Sequence, residues 1–115
     1  MRDDDSLESL EAELAPAAAP ALAAFLAGYL HEDWQLDHPS AAAAAWAFAR
    51  DSEIEEVEEL AADWHKVRAL AHRQGLAGFN RWLAATFGSG WHATSQRELE
   101  AVAHELRRAT EPVED

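Results

Sequence analysis

Between residues 52 and 74 the apolar side chains recur at one spacing only. Ile54, Val57, Leu60, Ala61, Trp64, Val67 and Leu70 with Ala71 fall three and four apart, which is one face of a long helix. A helix of that length gains its stability from neighbours that cover the stripe. In a chain of 115 residues, little remains that could cover it except other helices. Ser52-Glu53-Ile54-Glu55 reads as a capping box at its start, and Gly75 as its stop. Acids fill its first half and Lys66, Arg68 and Arg73 its second, the order that complements the helix dipole.

The rest of the chain supplies the cover. Ser6 is placed to cap a short helix with Leu7, Leu10 and Leu14 on one face, and Ala15-Pro16-Ala17-Ala18-Ala19-Pro20 interrupts it. A second helix over residues 20–31 aligns Leu22, Phe25, Leu26, Tyr29 and Leu30. Gly28 inside it costs up to ~1 kcal/mol relative to Ala, and a packed neighbour would account for it. A third helix over residues 41–50, opened by Pro39 or Ser40, carries Ala42, Ala45, Trp46 and Ala49 on one side. A fifth, over residues 76–87, buries Phe79, Trp82, Leu83 and Phe87. Gly88-Ser89-Gly90 breaks it, and Ser95-Gln96-Arg97-Glu98 is a second capping box before a last helix with Leu99, Val102, Ala103 and Leu106. There is no alternating strand pattern, repeat or Gly-rich phosphate loop. The reading is all-α, a single-domain bundle of five or six helices. Residues 1–19 form a tail and short helix, residues 20–110 the helical domain, and residues 111–115 a disordered tail.

Charge narrows the function. Nine Lys and Arg stand against 22 Asp and Glu, a formal net charge of −13. The imbalance is one-sided: residues 1–63 hold 16 acids and two bases, residues 64–115 six acids and seven bases. Such a field repels nucleic acid and draws basic partners. There is no Cys, so disulfide and thiolate chemistry are excluded. No apolar run is long enough for a membrane span, and the acidic start lacks the positive region of a secretory signal. A cytoplasmic location is the default.

Three stretches bear on chemistry. His31, Asp33, Asp37 and His38 are metal-ligand types within eight residues, but they match no ligand spacing, and on a helix His31 and Asp33 do not share a face. The bland alternative has His31 and Asp33 tying down a helix end and Trp34 plugging the core. Glu32, Asp33 and Asp37 offer carboxylates for acid-base work, with nothing to mark a substrate pocket. Ser89, in Gly88-Ser89-Gly90 with His92 nearby, lacks the Gly-x-Ser-x-Gly spacing and the strand context of a nucleophile elbow. The acidic run Asp51, Glu53, Glu55, Glu56, Glu58, Glu59, Asp63 is uninterrupted by any base. Glu55, Glu58, Glu59 and Asp63 form a stripe whose like charges repel by up to ~0.5 kcal/mol a pair. A tolerated cost of that kind points to docking of a basic protein, with a merely solvated helix face as the alternative.

The stretch Leu22-Ala23-Ala24-Phe25-Leu26-Ala27-Gly28-Tyr29-Leu30-His31-Glu32-Asp33-Trp34-Gln35-Leu36-Asp37 resembles the opening signature of the contact-dependent growth inhibition immunity proteins. In that family an apolar helix ends in Tyr, His, an acid or amide, Asp and Trp. Trp46-Ala47-Phe48, the acidic helix opening from Asp51, and Phe87-Gly88-Ser89-Gly90-Trp91 agree with it in order and character. The resemblance implies a bacterial, non-enzymatic antitoxin without cofactor or metal. Such a protein binds a cognate toxin domain in the cytoplasm and neutralises it, and the toxin is often a nuclease with a basic face. Phe25, Tyr29, His31, Asp33 and Trp34 are then the structural signature. Glu55, Glu56, Glu58, Glu59 and Asp63, with Asp33 and Asp37, are the candidates for touching the toxin. Two other readings compete: a metal-binding helical protein or enzyme using the cluster from His31 to His38, and a generic acidic helical adaptor.

Overall fold

The computed structural model describes residues 7–30, 38–88 and 90–111. Among them the secondary structure is helical throughout: α1 (Leu7–Glu13), α2 (Pro20–Tyr29), α3 (Ala41–Asp51), α4 (Ile54–Phe87) and α5 (Gln96–Thr110). The all-α, single-domain expectation holds. Ser6, expected to cap α1, and the segment 31–37 lie outside the described residues.

α4 is the centre of the bundle, with α5, α2 and α1 packed against it, while α3 lies mainly on α5 and α2. Its stripe is buried from Val57 through Leu60, Trp64, Val67, Leu70 and Ala71. The indole of Trp64 meets Phe25 of α2 edge-on at 5.9 Å and lies 6.1 Å from Trp91. Its Nε1 donates to the Leu99 carbonyl at 2.9 Å, which gives a buried polar atom the partner it requires.

Gly75, expected as the end of the long helix, is a break inside α4, and no loop follows it. A single residue at φ 78°, ψ 159° separates two helical segments. That conformation is essentially restricted to glycine, and a Cβ built there meets nothing within 4 Å. The cost of a side chain is therefore conformational alone. Gly75→Ala is expected to lower stability by about 1–3 kcal/mol, read as a fall in the urea midpoint with an unchanged slope. The break is held from both sides: Gln74 Nε2 donates to Glu11 of α1 at 2.6 Å, and Gln96 Nε2 donates to the Ala71 carbonyl at 3.3 Å.

Ser95 caps α5 as the second capping box expects, since the Glu98 amide donates to Ser95 Oγ at 3.2 Å, while the reciprocal bond goes to the residue before it. The Glu98 carboxylate accepts from the Thr94 amide at 2.9 Å and from Trp91 Nε1 at 3.2 Å, so one side chain fixes the entry to α5 and the buried Trp91 together. Asn80 donates to the Ala93 carbonyl and accepts from the Ala93 amide, which seats the connecting strand of chain on the second segment of α4.

Five local expectations are corrected. The first capping box does not form: α3 runs to Asp51, so Ser52 closes that helix in an extended conformation and Glu53 takes the cap of α4 without a side-chain bond. Ile54 is 47 % exposed rather than buried, because α5 ends at Thr110, which lies opposite Ala61, short of the start of α4. On α3 the buried face is Ala41, Ala44, Ala45 and Phe48, while Trp46 is 50 % exposed. Phe48 is held edge-on to Phe25 and Tyr29, at 5.5 Å each, and this turns Trp46, about 200° round the helix, outward. Among the described residues Gly28 has no packed neighbour, since none of their atoms lies within 4 Å of a Cβ there. Of the expected fifth helix, Phe79 and Leu83 are buried, whereas Trp82 and Phe87 are only half-buried.

Candidate protein-binding face

The first turns of α4 bury Val57 and Leu60 and turn their carboxylates outward. Glu55, Glu56, Glu58 and Glu59 are exposed, and none forms an ion pair among the described residues. Glu55 and Glu56 sit in the first turn, where the unsatisfied amides and helix dipole favour negative charge. Glu58 and Glu59 lie beyond that turn and keep their repulsion. Ile54 stands exposed at the head of this group, on the same side as Glu58 four residues on.

Asp63 ends the stripe half-buried. Burial pushes its carboxyl above the ordinary range; Lys66 works against the shift and Glu59 adds to it. The folded protein therefore holds the Asp63 proton more tightly than the unfolded chain does, and stability falls as pH rises through the window above the ordinary carboxylate value. Asp63→Asn removes that dependence. Its melting temperature should gain on the wild type as pH rises across the window, in a paired series of thermal melts.

The signature stretch and the acidic helix meet at the same corner. Tyr29, at the end of α2, donates its hydroxyl to Asp51 Oδ2 at 3.0 Å. Burial, and then this hydrogen bond, raise the phenol above its usual value, and the charge of Glu56 adds to the shift. The His38 ring stacks on Tyr29 at 6.0 Å, and Arg50 Nε lies 3.5 Å from Asp51. One corner thus gathers the end of α2, the residue before the α3 turn, the end of α3 and the start of α4. Phe25 is fully buried and Tyr29 half-buried beside it. His31, Asp33, Trp34 and Asp37 lie outside the described residues, so of the cluster proposed for metal only His38 is placed. No group of three or more His, Asp or Glu side chains able to hold an ion occurs among the described residues.

Sequence reasoning missed the surface around Trp46. Arg50 lies over its ring at 4.5 Å, and a shallow groove of about 260 Å³ beside it is lined by Ala49, Glu105, Arg108 and Ala109. The i, i+4 spacing of Trp46 and Arg50 was the available signal.

No family model matches the chain, and no curated protein or solved structure shows significant similarity to it. Among the described residues no helix is long and apolar enough to cross a membrane.

Proposed function

We propose that this chain is an immunity protein of the contact-dependent growth inhibition type: a non-enzymatic inhibitor that binds a basic toxin domain in the cytoplasm and blocks it. The observation that carries the reading is the opening of α4, where exposed carboxylates with no cation partner among the described residues follow directly on an exposed isoleucine. An apolar centre with a charged rim is how specific interfaces are built. The carboxylates steer a basic partner in, and Ile54 together with the half-buried Tyr29 supplies surface to be covered. A toxin that uses its basic face for nucleic acid loses that face when this one occupies it. The acids are in this reading a substitute for phosphates, fixed on a helix. The adaptor reading would leave the same charges for solubility alone.

Co-expression with the toxin domain encoded beside this gene tests the proposal. Growth is expected to be restored and the two proteins to co-purify as a complex that weakens with salt. Unrelieved toxicity with the inhibitor present and folded would overturn it.

A further inference from the structure

Past the acidic turns, the same helix presents a surface of opposite character. Ala61, His65, Arg68 and His72 fall four, three and four apart, along one edge of α4. Antiparallel to that edge runs α5, with Arg68 Nη2 at 3.8 Å from Glu100 Oε2 and Gln96 bonded to Ala71. Two hollows of about 200 and 320 Å³ lie along the seam and share His65 and Arg68, so they adjoin as the two parts of one groove. Its floor is apolar and small: Ala61, Ala69 and Ala103, with Leu106 beneath. Its walls carry Arg68, Arg107, His65 and His72, and Glu100 is the single carboxylate lining it. Arg107 and both imidazoles make no ion pair among the described residues. On a chain of net charge −13 this is a local inversion of sign.

We propose that this groove binds a short, extended peptide segment that bears carboxylates, with small apolar side chains on the alanine floor and the carboxylates on Arg68 and Arg107. Length supports a peptide over a compact anion. From Gln96 to Thr110 the α5 wall spans about 21 Å at a rise of 1.5 Å per residue, which matches about six residues of extended chain. Alternation supports it too, because side chains of an extended segment point in turn to opposite sides, one set to the floor and the other to the walls. A nucleic acid strand would bring a charge at every residue into the field of the whole protein, whereas a peptide with two or three carboxylates meets far less of that repulsion. The groove is independent of the acidic face: its ligand is acidic and the toxin is basic, so either proposal can fail alone.

The test is titration of the full chain, at low salt, with a fluorescein-labelled peptide of about six residues alternating glutamate and alanine. Saturable binding is expected, with backbone amide shifts confined to residues 61–72 and 96–110. Arg107→Glu and Arg68→Gln, each checked for an unchanged helical spectrum, should weaken it about tenfold or more, while Glu56→Gln should not weaken it. Non-saturable binding, equal affinity for Arg107→Glu and the wild type, or shifts elsewhere would overturn the proposal. So would a lysine-alanine peptide moving the same amides, or an oligothymidylate of similar length binding as tightly.

Discussion

Trp64→Ala is expected to leave the chain unfolded or close to it at 37 °C. The side chain is 1 % exposed at the centre of the bundle, where α2, α4 and the approach to α5 meet. Truncating a buried Trp to Ala costs about 3–5 kcal/mol through lost transfer energy and the cavity left behind. Here the cavity would border Phe25 and Trp91, two rings too large to move in together. The hydrogen bond to the Leu99 carbonyl goes as well, at about 1 kcal/mol. Against a typical total stability of about 5–15 kcal/mol, the loss is a large share. Trp64→Phe keeps a ring against Phe25 but not the donor, and should fall between the two. Urea unfolding followed by circular dichroism would check the series. A Trp64→Ala midpoint near that of the wild type would mean that the aromatic centre is not where the fold is held.

The second large effect concerns binding. If the chain binds a basic toxin domain as proposed, reversing Glu55, Glu58, Glu59 and Asp63 to Lys is expected to weaken that complex by at least about a hundredfold at low salt, the scale of electrostatic steering together with direct pairing. Most of the change in association rate should vanish at high salt, since exposed charges are screened beyond about 10 Å at 0.1 M. Stability should move the other way for a milder change. Glu59 lies within three or four residues of Glu55, Glu56 and Asp63, so Glu59→Gln relieves like-charge pairs worth up to ~0.5 kcal/mol each. A variant that melts higher yet binds more weakly separates a face kept for a partner from one kept for solubility. If the four-residue reversal leaves affinity unchanged, the acidic helix is not the binding surface.

What the sequence made legible followed from periodicity. The buried stripe of α4 from Val57 to Ala71, the apolar face of α2 and the Leu99, Val102 and Leu106 face of α5 were each readable from spacing, because one buried side of a helix must repeat with its turn. The Ser95 to Glu98 cap was readable because both its bonds are local. The failures came where two elements compete for the same residues. Ser52 and Glu55 had the right identities for a cap, but Ser52 was already needed to end α3. Ile54 lay in register with the stripe, but among the described residues α5 stops short of it. On α3 five consecutive alanines gave no contrast between faces, so the choice between Trp46 and Phe48 rested on ring contacts with α2, which spacing does not encode. For the candidate site, the acids were legible as a run. Their meeting with Tyr29 depends on a contact between residues 22 apart, and local pattern holds no trace of it.

The break at Gly75 makes the molecule a counting device. Most helices are joined by loops that absorb an extra residue by bulging outward. Here one residue is the whole joint, and Phe79 and Leu83 reach the core only because they stand a fixed number of positions past it. One inserted amino acid would turn everything from Leu76 to Phe87 by about 100° and bring Gly78 and Trp82 round to the places that Phe79 and Leu83 hold in the core. Relatives of this chain should therefore differ in length at the turn after Phe87, or before Pro20, and keep the same residue count from Trp64 through Gly75 to Leu83.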